Sequence, residues 1–309
     1  MWRLRTTDGE WAVKVLNRSR EAWWMSDYRI AAQIEQTAWA RAVAMPRPIH
    51  PVHPAAPLLA DISVDGAVHS VRLHEWCAGQ MLADAEPDVL RWVGGTLAAL
   101  HALPVGLDVA DAVVYEPHEP REWRQWLADA PDDVPAGFLA AVRAHLPDIA
   151  RAKEIVDEDR AEIRDRLTPV YTHRDVKPDN VLLTTAGPVL VDWDGAGLDF
   201  AEWEVVRAAL AFSRDGDGWH RRRFDHVLRT YQAVSGRQVP AVRACFVGVL
   251  RQQLMAAAFL LFRALGHRPV TPAERTEAYG HARELLADLR ASLRHLPEWT
   301  GWLPATAWH

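Results

Sequence analysis

Apolar and polar positions alternate along the first sixteen residues, the period expected of a strand with one buried face. Arg3-Leu4-Arg5-Thr6 and Trp11-Ala12-Val13-Lys14-Val15-Leu16 flank Thr7-Asp8-Gly9-Glu10, which predicts a β-hairpin over residues 2–16. The period then lengthens. Ile30, Ile34 and Ala38 share one face of a predicted helix, capped by Ser26 or Asp27 and running to about Ala42. Met45-Pro46-Arg47-Pro48 ends it, and a proline-rich loop reaches Pro57. A second hairpin follows, with residues 58–64 and 67–76 turning at Asp65-Gly66. Two hairpins around one helix make a small sheet-plus-helix lobe.

At Cys77-Ala78-Gly79-Gln80 the pattern turns helical, which puts a lobe boundary there: residues 1–78 and 79–309. Leu90, Val93, Leu97 and Leu100 mark a helix over 88–103, and further helices are predicted at 119–129, 136–167, 201–213, 220–234, 241–265 and 272–296. The last has a capping box, with Thr271 at the N-cap, Pro272 at the first position and Glu274 at the third. No internal repeat and no long disordered tract interrupts this. One stretch does, Tyr171 to Gly197. It carries two short apolar runs, Val181 to Leu183 and Val189 to Val191, joined by the turn Thr185-Ala186-Gly187-Pro188. The fold class is α+β.

Composition narrows the function. The chain of 309 residues is 49% apolar and 25% charged, as in ordinary globular proteins. Its formal charge of -6 leaves no basic excess for a nucleic-acid backbone. The 2 cysteines, Cys77 and Cys245, make no disulfide or metal framework, which fits a reducing cytoplasm. The N-terminus lacks the apolar core of a signal peptide. The most apolar stretch, residues 241–267, contains Arg243, Arg251 and Arg263, and its charge-free run is expected to be too short for a membrane span.

The chemistry sits around the 181–191 hairpin. On one side lies His173-Arg174-Asp175-Val176-Lys177-Pro178-Asp179-Asn180, on the other Asp192-Trp193-Asp194. A folded-back hairpin brings Asn180 and Asp192 close to each other, next to the loop that carries Asp175. A solvated turn would leave these polar positions at fixed offsets unexplained.

An H-x-D-x-x-x-x-N loop, a hairpin and then an Asp resemble the catalytic arrangement of protein-kinase-like phosphotransferases. Trp11 to Lys14, Leu97 to Pro104 and Val191-Asp192-Trp193 extend the resemblance, and they point to the aminoglycoside phosphotransferase and choline-kinase branch. The resemblance implies a two-lobe kinase fold, with a small, truncated antiparallel sheet lobe and a large helical lobe. It implies ATP and Mg²⁺. Lys14 would hold the α and β phosphates, and Glu35 would pair with Lys14, with Asp27 as the fallback. Leu73-His74-Glu75-Trp76-Cys77 would be the hinge that binds adenine. Asp175 would orient the hydroxyl and take its proton, and Asn180 and Asp192 would bind the metal. Glu204 stands where the family has an Asp that braces the loop.

Two departures bear on mechanism. Lys177, two residues past Asp175, is placed to touch the γ-phosphate. The glycine-rich loop expected before the Lys14 strand is missing from residues 1–13, which leaves three expectations: a start upstream of Met1, weak ATP binding, or a partner protein that completes the lobe, for instance on the Arg3 to Thr6 edge. Between Asp192 and Glu202 there are only the 9 residues Trp193 to Ala201, too few for the activation loop of a protein kinase. The expected activity is therefore transfer of the ATP γ-phosphoryl group to a hydroxyl of a small molecule: an aminoglycoside, an amino sugar or a choline-like alcohol. The alternatives are a kinase for Ser or Thr of a natural-product precursor peptide and a pseudokinase-like binding protein. Nucleic acid and membrane are not expected partners.

Overall fold

A computed structural model describes residues 1–16, 22–106, 116–163, 167–216, 218–268 and 271–304. The elements follow in chain order: β1 (Trp2–Thr6), β2 (Gly9–Leu16), α1 (Ala22–Ala40), β3 (Ala60–Val64), β4 (Ala67–Glu75), β5 (Gln80–Met81), α2 (Pro87–Leu100), α3 (Pro120–Ala128), α4 (Ala136–Arg143), α5 (Leu146–Ile163), β6 (Pro169–Thr172), β7 (Val181–Thr184), β8 (Gly187–Leu190), β9 (Gly197–Phe200), α6 (Ala201–Ser213), β10 (Arg214–Asp215), β11 (Gly218–Trp219), α7 (Arg221–Ser235), α8 (Val247–Ala264) and α9 (Pro272–Thr300). The chain divides into two compact units, Met1–Val113 with Thr168–Arg237, and Val114–Leu167 with Gln238–His309. The lobe boundary read from the sequence, at 78/79, falls inside the first unit.

In the first unit a four-stranded antiparallel sheet runs in the order β1-β2-β4-β3. Both hairpins form where the alternation predicts them. Asp65 and Gly66, at φ 49° and 80°, make the tight turn of the second, a backbone twist that suits the flanking strands. β1 is an edge strand with all five residues exposed. α1 starts upstream of the expected caps Ser26 and Asp27, because Ala22 to Met25 hold no helix breaker and cap preference alone does not stop a helix. It ends at Ala40, where Ala42 turns to φ 56° and Val43 donates its N–H to the Ala38 carbonyl at 3.1 Å.

Two smaller sheets carry the motif region. β7 and β8 form the central hairpin, and β5 adds to its other side. Gly187 and Pro188 belong to the strand rather than the turn, since β8 is an edge on which a missing N–H is tolerated. β6 pairs with β9, from Pro169↔Phe200 to Thr172↔Gly197. No periodicity announces these four-residue strands; each exists because a distant partner completes its hydrogen bonds. α2 packs on α7, and α6 on both.

The second unit is helical, with α8 against α9 and α5, and α3 against α5. The helix expected over 136–167 is two helices. α5 restarts at Leu146 with Pro147 in its first turn, where the missing N–H costs nothing. The expected continuation over 164–166 lies outside the described residues. The helix expected from Ala241 is a 3-10 turn, Arg243–Phe246, and then α8. Contrary to the length argument, the span Arg243–Ala264 is long and apolar enough to cross a membrane by composition, and 61% of it is buried within the protein, as in a core helix. α9 keeps the predicted capping box, the Glu274 N–H donating to Thr271 Oγ1 at 3.3 Å, and runs on through Pro297 to Thr300.

The α2–α7 contact has no slack. A Cβ built on Gly94 would come within 2.7 Å of Thr230 Cβ and of the Val227 carbonyl oxygen. Gly94→Ala is expected to destabilise the fold by about 1–3 kcal/mol through overpacking, despite alanine's better helix propensity. A urea-denaturation series should show it, and unchanged or increased stability would mean that the helices part freely.

Candidate active site

The H-x-D-x-x-x-x-N loop leaves β6 at the buried Thr172. His173 is buried, which lowers its pKa and keeps the ring neutral. Its two nitrogens are used accordingly. Nε2 donates to the Val191 carbonyl at 3.0 Å, and Nδ1 accepts the Asp175 N–H at 3.3 Å. Arg174 then takes a left-handed conformation, φ 65°, as does Asp192, φ 67°. Non-glycine residues held there cost about 1–3 kcal/mol each and need surroundings that over-determine them. At Arg174 those surroundings are explicit. Its N–H donates to Glu204 Oε1 at 2.7 Å, its carbonyl accepts from Arg207 Nη2 at 2.8 Å, and its Nε donates to the Gly195 carbonyl at 2.6 Å. The guanidinium lies against Gly197, where a Cβ would meet it at 2.7 Å and displace it.

Asp175 follows on this clamped peptide. Asn180 Nδ2 donates both to its carbonyl, at 2.8 Å, and to its Oδ2, at 2.9 Å. The Lys177 ammonium lies 2.8 Å from the same carboxylate oxygen. Pro178–Asn180 is a single 3-10 turn, and the Val191 N–H donates to the Asn180 carbonyl at 2.9 Å. That bond joins the two ends of the hairpin, so the residues before β7 and after β8 share one edge.

Lys14 extends from β2 to the same loop. Its ammonium lies 2.5 Å from Asp192 Oδ1 and 2.6 Å from Asp194 Oδ2. Burial opposes its charge, but the carboxylates of Asp194 and Asp192 outweigh burial and raise its pKa. Glu35 is not its partner. Arg72, directly opposite Lys14 on β4, takes Glu35 in a buried ion pair and reaches Asp194 Oδ1 at 2.5 Å with its other terminal nitrogen. His74 Nε2 holds the remaining oxygen of Glu35 at 2.6 Å. The expected Lys14–Glu35 pair is therefore replaced by a relay, Glu35–Arg72–Asp194–Lys14–Asp192. A buried carboxylate takes the cation that reaches it without exposure, and the Arg72 fork, 1% exposed, does so.

The expected hinge is used differently along its length. The His74 side chain belongs to Glu35, and burial with the nearby Arg72 charge lowers its pKa to about 4. The Glu75 N–H donates to the Arg47 carbonyl and the Trp76 N–H to the Glu10 carbonyl, each at 2.9 Å. The Arg3 guanidinium lies 4.6 Å over the Trp76 ring. Cys77 is a half-buried free thiol, its pKa raised by burial and by Glu75. Among the described residues no cluster of three His, Cys, Asp or Glu side chains is placed to hold a metal ion. Asp192 with Asn180 supplies oxygen donors only, a set that suits a magnesium ion completed by phosphates and water.

The phosphotransferase enzyme family, APH, matches residues 1–236 in its sequence profile. The chain belongs to this family. It is thus a phosphotransferase of the kinase type, with a hydroxyl acceptor. Solved structures place it in the protein-kinase-like fold. Spectinomycin phosphotransferase in complex with ADP and spectinomycin superposes with a TM-score of 0.67 at 13% identity, over 94% of this chain and 88% of that one. Amicoumacin kinase in complex with AMP-PNP, Ca²⁺ and Ami gives 0.55 at 13%, over 98% and 86%. A choline/ethanolamine kinase family protein from Mesorhizobium loti gives 0.51 at 16%, over 94% and 87%. No curated protein sequence matches the chain.

In this phosphotransferase, sequence reasoning missed four residues of the site. Asp194 was in view two positions after Asp192, without a reason to choose it. Arg72 looked like any strand residue. Asp199 and Arg207 form a buried pair at 2.8 Å, and Arg207 grips the Arg174 carbonyl. Glu204, by contrast, braces the loop from the place the resemblance indicates. Its other oxygen, Oε2, takes a hydrogen bond from His101 Nε2 at 2.7 Å, and Tyr231 Oη lies 2.9 Å from the far nitrogen of that ring. Burial alone would raise the pKa of Glu204, but the hydrogen bond and charge of His101, with Arg207, lower it to about 2. A carboxylate depressed from about 4.5 in the unfolded chain contributes stability above that pH and loses it as pH falls toward 2. Denaturation midpoints of the wild type should thus decline from about pH 5 downward, and Glu204→Gln should be less stable at pH 7 with a shallower acid slope. Parallel curves would show that Glu204 is not held ionised.

Proposed function

We propose that the protein transfers the γ-phosphoryl group of ATP, with Mg²⁺, to a hydroxyl of a small amine-bearing molecule such as an aminoglycoside, an amino sugar or a choline-like alcohol. The observation that carries the reading is the Asp175 carboxylate, fixed by Asn180 and Lys177 beside the Lys14–Asp192 pair. In-line phosphoryl transfer asks little covalent chemistry of a protein; it needs positioning and charge neutralisation. Asp175 orients the acceptor hydroxyl and takes its proton. Lys177 touches the γ-phosphate, and Lys14 turns from Asp192 to the α and β phosphates. Asp192 and Asn180 hold the cation, whose chemistry is to neutralise charge on the phosphate oxygens. With the N–H groups of Glu75 and Trp76 already bonded, adenine pairing falls to other backbone groups of the His74 to Cys77 segment.

The acceptor class is supported by family membership and by the substrates named for the superposed kinases, spectinomycin, amicoumacin and choline or ethanolamine. Free thiols at Cys77 and Cys245 suit a cytoplasmic enzyme. The turn between β1 and β2, Thr7-Asp8, is not glycine-rich, so the phosphates rely on Lys14, Lys177 and the cation. A partner strand added to the exposed edge of β1 would close that side.

Asp175→Asn is expected to lower turnover by roughly 10²–10⁴-fold while calorimetric ATP binding survives, with product mass identifying the phosphorylated alcohol in a screen of hydroxylated amines. Near-normal turnover in that variant would sink the assignment. A wild type that binds ATP without consuming it with any alcohol or peptide would favour a binding protein. Tight binding by the isolated chain would remove the need for a partner.

A further inference from the structure

Lys14 and Arg72 occupy facing positions on β2 and β4. Two cations on adjacent strands repel, and here carboxylates separate them. Burial is graded along the relay. Glu35 and Arg72 are 0% and 1% exposed, while Lys14 and Asp194 are partly exposed and Asp192 is 42% exposed. Three carboxylates against two cations leave one negative charge, and it lies at the open end, on Asp192.

This grading decides which contact can break. Were Lys14 the only cation beside Glu35, its movement to a phosphate would strand a fully buried carboxylate, the costliest kind of unpaired charge. With Arg72 forked between Glu35 and Asp194, Lys14 can leave and both of those carboxylates keep a cation. Only Asp192 is left with no cation of the relay, and it faces solvent.

We infer that Arg72 is a positioning residue for phosphoryl transfer: it neutralises Glu35 in place of Lys14, and through Asp194 it sets the loop carrying Asp192, so that Lys14 is free to exchange carboxylate for phosphate. The inference rests on the nucleotide and metal assignments proposed above. A purely structural role, pinning α1 to the sheet, would use the same Arg72–Glu35 contact but would not need Asp194.

Two variants separate these roles. Arg72→Met leaves Glu35 without its cation and Asp194 with Lys14 alone. Glu35→Met/Arg72→Met replaces the buried pair by apolar side chains of similar length, an exchange that often restores stability. The readouts are thermal stability, affinity for Mg²⁺-AMP-PNP by calorimetry, and the histidine ring titration of the nucleotide-free chain by NMR. His74 faces Glu35 and lies near Arg72, Lys14, Asp192 and Asp194. Its pKa is expected to rise from about 4 in Arg72→Met, as the nearby positive charge is gone and Glu35 is unpaired. The same variant should lose tenfold or more in Mg²⁺-nucleotide affinity. The double variant should regain stability without regaining that affinity, and it keeps the test alive if Arg72→Met does not fold. A double variant that recovers both overturns the inference, as does an Arg72→Met chain with wild-type affinity and His74 titration. A wild type that shows no Mg²⁺-dependent nucleotide binding overturns the functional reading and this inference with it, whereas normal wild-type binding with unaffected variants overturns the inference alone.

Discussion

The buried guanidinium of Arg72 is the charge around which the N-terminal sheet, α1 and the Asp192–Asp194 loop are arranged. Two carboxylates from different parts of the chain, Glu35 and Asp194, converge on it. Removing one member of such a buried set costs about 3–5 kcal/mol, because the remaining charge has no water to turn to. The desolvation penalty therefore acts as a geometric constraint. α1 cannot slide and the loop after β8 cannot swing without exposing a charge that has been paid for elsewhere in the fold. His74 completes the arrangement as a neutral neighbour of Glu35, and Tyr28 lies under the guanidinium, 5.6 Å from its ring centre.

A second constraint is in the backbone. Arg174 and Asp192 are both left-handed and lie on either side of His173's bond to the Val191 carbonyl. Neither conformation would persist in a free peptide. Arg174 is held at its N–H, at its carbonyl and along its side chain, by groups on α6 and beside β9. The groups that grip it are themselves paired: Glu204 with His101, and Arg207 with Asp199. The result is a firmly held base under Asp175, beside which the side chains of Lys177 and Asp192 are exposed and that of Lys14 partly so. Positioning of this kind is what phosphoryl transfer draws on.

Local pattern was enough for much of the fold. Alternation marked both N-terminal hairpins, the helical period marked α2, α6, α7 and α9, and the turn chemistry of Asp65-Gly66 and the capping box at Thr271 mark their elements in the fold too. The failures have one cause. β6 and β9 are too short to carry a period, and the break at Ala144-His145 rests on a proline that also suits a helix start. In each case a residue tolerates two local states and a distant neighbour chooses.

The same division runs through the site. Sequence by itself determined the family and the order of the motif, because Asp175, Asn180 and Asp192 are tied to each other by chain length: a four-residue loop and an eleven-residue hairpin segment leave few ways to separate them. It also located Glu204, through that motif's known need for a brace. Pairing across the chain was decided only by the tertiary structure. Lys14 and Glu35 are both present and correctly placed on their elements, yet strand register sets Arg72 opposite Lys14 and gives Glu35 to the better-buried cation. Which charges meet depends on how much water each loses on the way, and burial is a property of the folded chain.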